Sequence, residues 1–245
     1  MNEHRAAAEL AREAGALLLR LRFTATGDEL KALGDRRSHQ LLMARLAEYY
    51  PHDAVLSEEG VDDPARLDAE RVWIVDPLDG TREYGEPPRH DWAVHVALWQ
   101  RGELVAGAVA LPAVGVTLAS DPPPSLPAPP AGPLRLAVSR SRPPATATAL
   151  AAALEAELVP MGSAGYKASA LLLGEADIYA HAGGQYQWDS AAPVAVAAAA
   201  GLHVSRIDGS PLVYNDAERS LPDLLICRPE YAEGVIDVVR AAGTA

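Results

Sequence analysis

Apolar residues recur at helical spacing over residues 3–22, where Ala7, Leu10, Ala14, Leu17, Leu18 and Leu21 share one face. That 3.6-residue period predicts an amphipathic helix, and the same spacing predicts a second over 38–50. Short apolar runs follow. Ala54-Val55-Leu56-Ser57 and Val72-Trp73-Ile74-Val75 read as buried strands, and the first delivers Glu58 and Glu59 at its end. Trp92 to Trp99 and Leu104 to Leu111 read as paired strands around the Arg101-Gly102 turn, with Val114 to Ala119 continuing the sheet. Beyond residue 133 the pattern alternates. It runs through a strand (Leu134 to Val138), a helix (146–156), a strand (Leu158 to Met161), a helix (165–173) and a strand (Ala176 to His181). An Ala-rich helix (189–200), strands near 212–214 and 223–227, and a terminal helix (230–242) complete it. Such alternation implies a mixed sheet covered by helices, in the α/β class. No repeat at a fixed period is visible.

Residues 121–133, DPPPSLPAPPAGP, hold seven prolines and cannot form a helix or a central strand. They read as a stiff connector between an N-terminal half (1–120) and a C-terminal half (134–245); a long surface loop within one domain is the alternative. At 245 residues and 49% hydrophobic, the chain can bury a substantial core. The net charge of -12, with no basic stripe, makes nucleic-acid polymers and anionic membranes poor partners. An anionic small molecule remains open, given bound metals or local cations. Cys227 is the single cysteine, which excludes an intrachain disulfide and fits a reducing cytoplasm. The charged helical pattern at the N-terminus is no signal peptide, and Ala191 to Ala200 is too short and weakly apolar to span a membrane.

The chemistry concentrates in Asp76-Pro77-Leu78-Asp79-Gly80-Thr81, directly after the Val72–Val75 strand. Pro77 stiffens the turn. Two carboxylates three residues apart repel, and a divalent cation relieves that repulsion. Gly80 and Thr81 stand as at the opening of a helix, where free N–H groups bind phosphate. In isolation the motif also reads as a solvated turn. Asp189, in Trp188-Asp189-Ser190-Ala191-Ala192, and Asp35, ahead of the second helix, each read alone as an N-cap. His95 reads as a satisfied, partly buried strand histidine, and Asp62-Asp63 as a surface turn.

Glu58-Glu59, the 76–81 hexapeptide and Trp188-Asp189 together resemble the inositol monophosphatase-like superfamily of Mg²⁺-dependent, lithium-sensitive phosphatases. The spacings are 18 residues from Glu58 to Asp76 and 110 from Asp79 to Asp189. Within it, Arg82-Glu83-Tyr84, Val138-Ser139-Arg140-Ser141-Arg142 and Gly162-Ser163-Ala164 with Lys167 are similar to the 3′(2′),5′-bisphosphate nucleotidase branch, the CysQ type, and Asp91-Trp92-Ala93-Val94-His95 with Trp188-Asp189-Ser190-Ala191-Ala192 resembles its actinobacterial members. Two departures stand out. The branch's Val-Thr-x-x-Asp is here Lys31-Ala32-Leu33-Gly34-Asp35, which keeps the Asp and lacks the Thr. Gly165-Tyr166 shifts the register of Lys167.

The resemblance implies a layered αβαβα sandwich of the inositol monophosphatase and fructose-1,6-bisphosphatase type, with an α+β metal-binding half and an α/β substrate-binding half. It implies a phosphomonoesterase, a 3′(2′),5′-bisphosphate nucleotidase of sulfur metabolism, taking 3′-phosphoadenosine 5′-phosphate to AMP and phosphate. Inositol monophosphate and fructose 1,6-bisphosphate are the rival substrates, and an inactive metal-binding regulator the remote alternative. Two or three Mg²⁺ ions are implied, held by Glu58, Asp76, the Leu78 carbonyl, Asp79 and Asp189. Asp35 and Thr81 would orient the attacking water. Gly80, Thr81, Ser139, Arg140, Gly162, Ser163, Lys167 and Asp189 would hold the substrate. The partner is a small phosphomonoester, and the protein a cytoplasmic monomer or homodimer.

Overall fold

The computed structural model describes residues 2–141, 143 and 145–241. Its first sheet comprises β1 (Ala54–Ser57), β2 (Arg71–Asp79), β3 (Ala93–Gln100), β4 (Glu103–Leu111) and β5 (Val116–Ala119), in that spatial order. β1 runs parallel to β2 and the other pairs are antiparallel. The second sheet comprises β6 (Arg135–Ser139), β7 (Glu157–Met161), β8 (Ile178–Tyr186), β9 (His203–Ser205) and β10 (Ser220–Cys227), ordered β7-β6-β8-β10-β9. Here β6 runs parallel to β7 and β8, while β10 is antiparallel to β8 and β9.

Helices α1 (Glu3–Leu21) and α2 (Gly27–Tyr49) cover the outer face of the first sheet, with the one-turn α3 (Thr81–Tyr84) following β2. Helices α4 (Ala145–Ala153) and α7 (Pro229–Ala241) cover the outer face of the second. Between the sheets lie α5 (Ala164–Leu172) and α6 (Gln187–Ala199). The result is five layers, αβαβα, among the described residues.

Side-chain alternation along the strands builds this arrangement. On β2, Val72 and Ile74 enter the central core, and Trp73 and Val75 the core under α1 and α2. On β10, Leu224 and Ile226 face the central core, and Leu225 and Cys227 face α4 and α7. Full burial of each such side chain is worth about 1.5–3 kcal/mol. The central core draws on both sides of the proline-rich segment, from Ile74 and Val109 to Tyr179 and Leu224, with Ala191 and Ala192 of α6 between them. Small residues let the layers close: a Cβ on Gly107 of β4 would collide with Ala195 of α6. Segment 121–133 carries no helix or strand.

The structure departs from the sequence reading in three places. Helix α2 begins at Gly27, not 38, so Asp35 lies inside it and caps nothing. Its buried face is Leu30, Gly34, Ser38, Leu42 and Leu46, and the small or polar pair in the middle hides the period. Gly34 is required there, since a Cβ would press on the Tyr84 ring and Leu78. No strand forms at 212–214; β9 at His203–Ser205 pairs with β10 instead. The 206–216 stretch is a side-chain-tied loop, closed by Arg206 on Asp223 and by Ser210 N on Asp208. Finally, Asp62 is more than a surface turn. It grips Arg66, a guanidinium only 1% exposed, which also donates to Asn215 Oδ1 (2.8 Å) and the Asp216 carbonyl (3.0 Å). Asn215 N in turn donates to Gln187, two residues before Asp189. Arg142 and residue 242 lie outside the described residues.

Candidate active site

Strand β2 ends in the acidic turn. Its register against β3 slips between Asp76, opposite His95, and Asp79, opposite Ala93. This bulge, at a proline that has no ladder donor to lose, turns both carboxylates toward the N-terminus of α6. Asp76, Asp79 and Asp189 each offer a carboxylate oxygen within 4.8 Å of the others. The carboxylates come from the end of β2 in the first sheet and from α6 between the sheets, so the cluster forms only when the layers stack.

Each carboxylate is held. Asp76 Oδ1 accepts from Leu78 N (3.0 Å). Asp79 Oδ2 accepts from Ser163 Oγ (2.5 Å) and Gly165 N (2.7 Å). Asp189 Oδ2 accepts from Tyr186 N (2.6 Å) at the start of α6, so its capping role and its place in the cluster coexist on one side chain. Glu58 stands at the rim, outside the three-carboxylate cluster; the residue as a whole is exposed, but its carboxyl is turned in against that of Asp76 and drawn out of water.

Burial and mutual repulsion set the charges. Burial, then Glu58 and Asp79, pushes Asp76 well above the carboxylate range. Asp189 is pushed to about 6 by burial and then Asp79, and Glu58 to about 7 by burial above all. Asp79 is the exception: burial opposes its charge, but His95, Ser163 and Gly165 outweigh that and hold it at about 2. One anchored anion with reluctant carboxyls around it is a donor set of hard oxygens that lacks only positive charge. It fits a hard divalent cation.

A consequence follows for the metal-free protein. Asp76, Asp189 and Glu58 bind protons more tightly folded than unfolded, where carboxyls titrate near 4. The contribution of Asp189 and Glu58 to stability is therefore present at low pH and lost as pH rises through about 6 to 7, and Asp76 acts in the same direction. Asp79, shifted the other way, loses its contribution only below about pH 4. Between pH 5 and 7.5 the melting temperature in chelator should fall, and a millimolar divalent cation should restore it at pH 7.5 more than at pH 5. A flat profile with no cation effect would contradict this account.

Beside the cluster, Gly80 (φ 85°) opens the one-turn α3. Thr81 Oγ1 lies 3.2 Å from Asp35 Oδ1 and 3.1 Å from the Leu78 carbonyl, to either of which its single O–H can donate. Asp35 is pushed to about 6, by burial first and then by Glu59. A cavity of about 260 Å³ adjoins this turn, and Gly80, Thr81, Ser139, Arg140, Gly162, Ser163 and Lys167 all line it. A larger one, about 480 Å³, lies among β4, α6 and the 211–214 loop with mostly aliphatic walls, away from the Gly80–Thr81 turn. The chemistry belongs to the smaller.

Two cavity residues are less free than their sequence suggests. Arg140 Nη2 is paired with Glu83 Oε1 (2.6 Å) and Glu86 Oε2 (3.2 Å). Lys167 is almost wholly buried and donates to the Ser163 carbonyl (2.7 Å), with the Gly162 carbonyl at 3.4 Å. Ser163 is held at φ 49°, uncommon for a residue with a Cβ, and serves both Asp79 and, as an acceptor, Tyr166 N. Asp91 steadies the same corner, accepting from Gly162 N (2.6 Å) while paired with Arg89.

The family model for the inositol monophosphatase family matches residues 2–122 and 130–243, nearly the whole described chain. The chain belongs to the inositol monophosphatase family. A 3′-phosphoadenosine 5′-phosphate phosphatase of Mycobacterium bovis is 50% identical over 241 residues, covering 94% of this chain and 90% of that protein. The 3′(2′),5′-bisphosphate nucleotidase CysQ of Escherichia coli K12 is 32% identical over 200 residues, or 76% of this chain and 80% of that one. The CysQ crystal structure from Bacteroides thetaiotaomicron superposes with a TM-score of 0.76 at 27% identity, over 92% of this chain and 97% of that one. The inositol monophosphatase fold is thus the one seen here, and it accounts for the five layers. Among the described residues, no helix of this family member is long and apolar enough to cross a membrane.

The sequence reads His95 as a satisfied, partly buried strand histidine, whereas it is fully buried with Nε2 outside any hydrogen bond; Asp91 and Arg66 give no such signal. Strand register was the available signal for His95, since an antiparallel β2–β3 ladder sets it opposite Asp76.

Proposed function

We propose that this protein hydrolyses 3′-phosphoadenosine 5′-phosphate to AMP and inorganic phosphate, using Mg²⁺. One observation carries the reading: the Thr81–Asp35 pair, the Asp76–Asp79–Asp189 cluster and the small polar cavity converge on one turn. The 50% identical relative of that name supports the choice of substrate. The inositol phosphatase and fructose bisphosphatase alternatives lack such support, and an inactive regulator is disfavoured by the presence of every ligand carboxylate.

In this reading Asp76, Asp79, Asp189, Glu58 and the Leu78 carbonyl hold two or three Mg²⁺ ions. When bound, the ions supply Lewis-acid stabilisation of the phosphoryl oxygens and lower the pKa of water. Thr81, its hydroxyl held by Asp35, orients the attacking water in line with the scissile P–O bond. That bond breaks, water's oxygen goes to phosphorus, and a proton passes to the leaving 3′-oxygen. Gly80, Ser139, Arg140, Gly162, Ser163 and Lys167 hold the nucleotide and its second phosphate. Arg140 exchanges Glu83 and Glu86 for that phosphate, and Lys167 adds a point charge from beneath. We further read the protein as a lithium-sensitive cytoplasmic enzyme of sulfur metabolism, acting as a monomer or homodimer.

The test is a phosphate-release panel in Mg²⁺ with 3′-phosphoadenosine 5′-phosphate, inositol 1-phosphate, fructose 1,6-bisphosphate and AMP. The bisphosphonucleotide should give the highest kcat/KM, with Li⁺ and Ca²⁺ inhibiting, Ca²⁺ because its larger, looser coordination spoils the alignment. Preference for inositol 1-phosphate would transfer the protein to the rival activity. Full turnover in excess chelator would remove the metal from the mechanism.

A further inference from the structure

We propose that His95 is a positioning residue that spaces Asp79 from Asp189 and thereby sets the affinity of the site for its cation. The proposal rests on reading the three-carboxylate cluster as a cation site. His95 is fully buried on β3 and reaches both ligand-bearing elements. Its Nδ1 lies 3.0 Å from the carbonyl of Trp188, the residue before Asp189. A carbonyl can only accept, so Nδ1 carries hydrogen. At the other end of the ring, Nε2 lies 3.3 Å from Asp79 Oδ2, a close polar contact off the line of an ideal hydrogen bond. The imidazole is therefore a strut between the carboxylate of one element and the backbone that presents the other.

The surroundings are shaped to this ring. Gly165 of α5 faces Nε2, and a Cβ there would overlap it. Gly165 N and Ser163 Oγ complete the set on Asp79 Oδ2 and fix the orientation of that carboxylate. Packing alone would be met by any side chain of this volume. The Nδ1 hydrogen bond to the Trp188 carbonyl, with Nε2 seated against Asp79 Oδ2, holds Asp79 and Asp189 at their spacing, and outer partners of this kind typically carry 10–100-fold in metal affinity.

The glycine allows the two roles to be separated. His95→Ala removes the strut and leaves a cavity, which His95→Ala/Gly165→Ala refills with a methyl group. His95→Gln keeps a polar N–H at the end of the side chain. Mn²⁺ alone is the probe, read by titration calorimetry and by the free-ion EPR signal, with melting temperature and kcat beside it. The double variant should recover thermal stability over His95→Ala yet bind Mn²⁺ about 10–100-fold more weakly than the parent. His95→Gln should bind within a few-fold of the parent. Parent-like Mn²⁺ affinity in the double variant would make His95 a packing residue and overturn the proposal. Should the alanine variants not fold, His95→Leu against His95→Gln decides it: weaker Mn²⁺ binding by the leucine supports the strut, and equal binding refutes it. A parent protein that binds no Mn²⁺ would instead refute the cation site itself.

Discussion

Asp189→Asn should leave a well-folded protein with kcat lowered by about 10³-fold, equivalent to about 4 kcal/mol of transition-state stabilisation. The fold survives because the amide oxygen still accepts from Tyr186 N, the contact that anchors this end of α6. Without a cation the variant should melt higher than the parent at pH 7.5. The substitution removes one charge from a cluster in which Asp76 and Asp79 already repel it. Activity and metal-free stability thus move in opposite directions, which separates a ligand from a structural cap. Cap loss alone costs roughly 1 kcal/mol and would lower the melting temperature. Asp79→Asn should lower kcat to a similar extent. It should not gain stability, because Asp79 is the one carboxyl of the set whose charge is well supported. Either variant retaining more than a tenth of the parent's turnover would refute its place in the metal cluster.

Thr81→Ala and Asp35→Asn should each lower kcat by about 10²-fold with little change in KM. The reason is geometric. The Thr81 hydroxyl sits on the last turn of the acidic loop, and Asp35 reaches it from the middle of α2. Asparagine keeps an oxygen in that place and removes the charge, so the loss reports on polarisation more than on shape. The double variant should lose little more than the worse single one, since the two act as a unit. Asp35 lies well inside α2 and its charge is resisted by burial, so Asp35→Asn should hold or raise the melting temperature. Near-normal turnover for Asp35→Asn would remove it from the mechanism.

The site was legible where it is local. Asp76 to Thr81 are consecutive, and a strand followed by Pro, Gly and Thr dictates their turn. Asp189 was legible through its tryptophan and the helix it opens. What depends on apposition was not. Glu83 and Glu86 sit beside Arg140 because α3 and the turn after it meet the end of β6, and no short-range pattern encodes that meeting. The same holds for Lys167, whose helical address says nothing of the carbonyls it satisfies. In the fold, β9 was hidden because three residues are too few to establish a period, and α2 because its buried stripe narrows to glycine and serine. Such lapses fall at the closest approaches between elements, where small residues replace large apolar ones and the hydrophobic signal fades.

The helical layer between the sheets has one more consequence. Because α5 and α6 are lined on one side by the first sheet and on the other by the second, neither sheet has a complete interior of its own. A chain cut within the proline-rich segment would be two interlocked pieces, held by a shared filling and unable to part without exposing it. Heredity is constrained in the same way. A lineage carrying this chain cannot pass on either side alone, and segment 121–133 is itself tied in, with Leu126 against the central core and the Pro127 carbonyl accepting from Arg228.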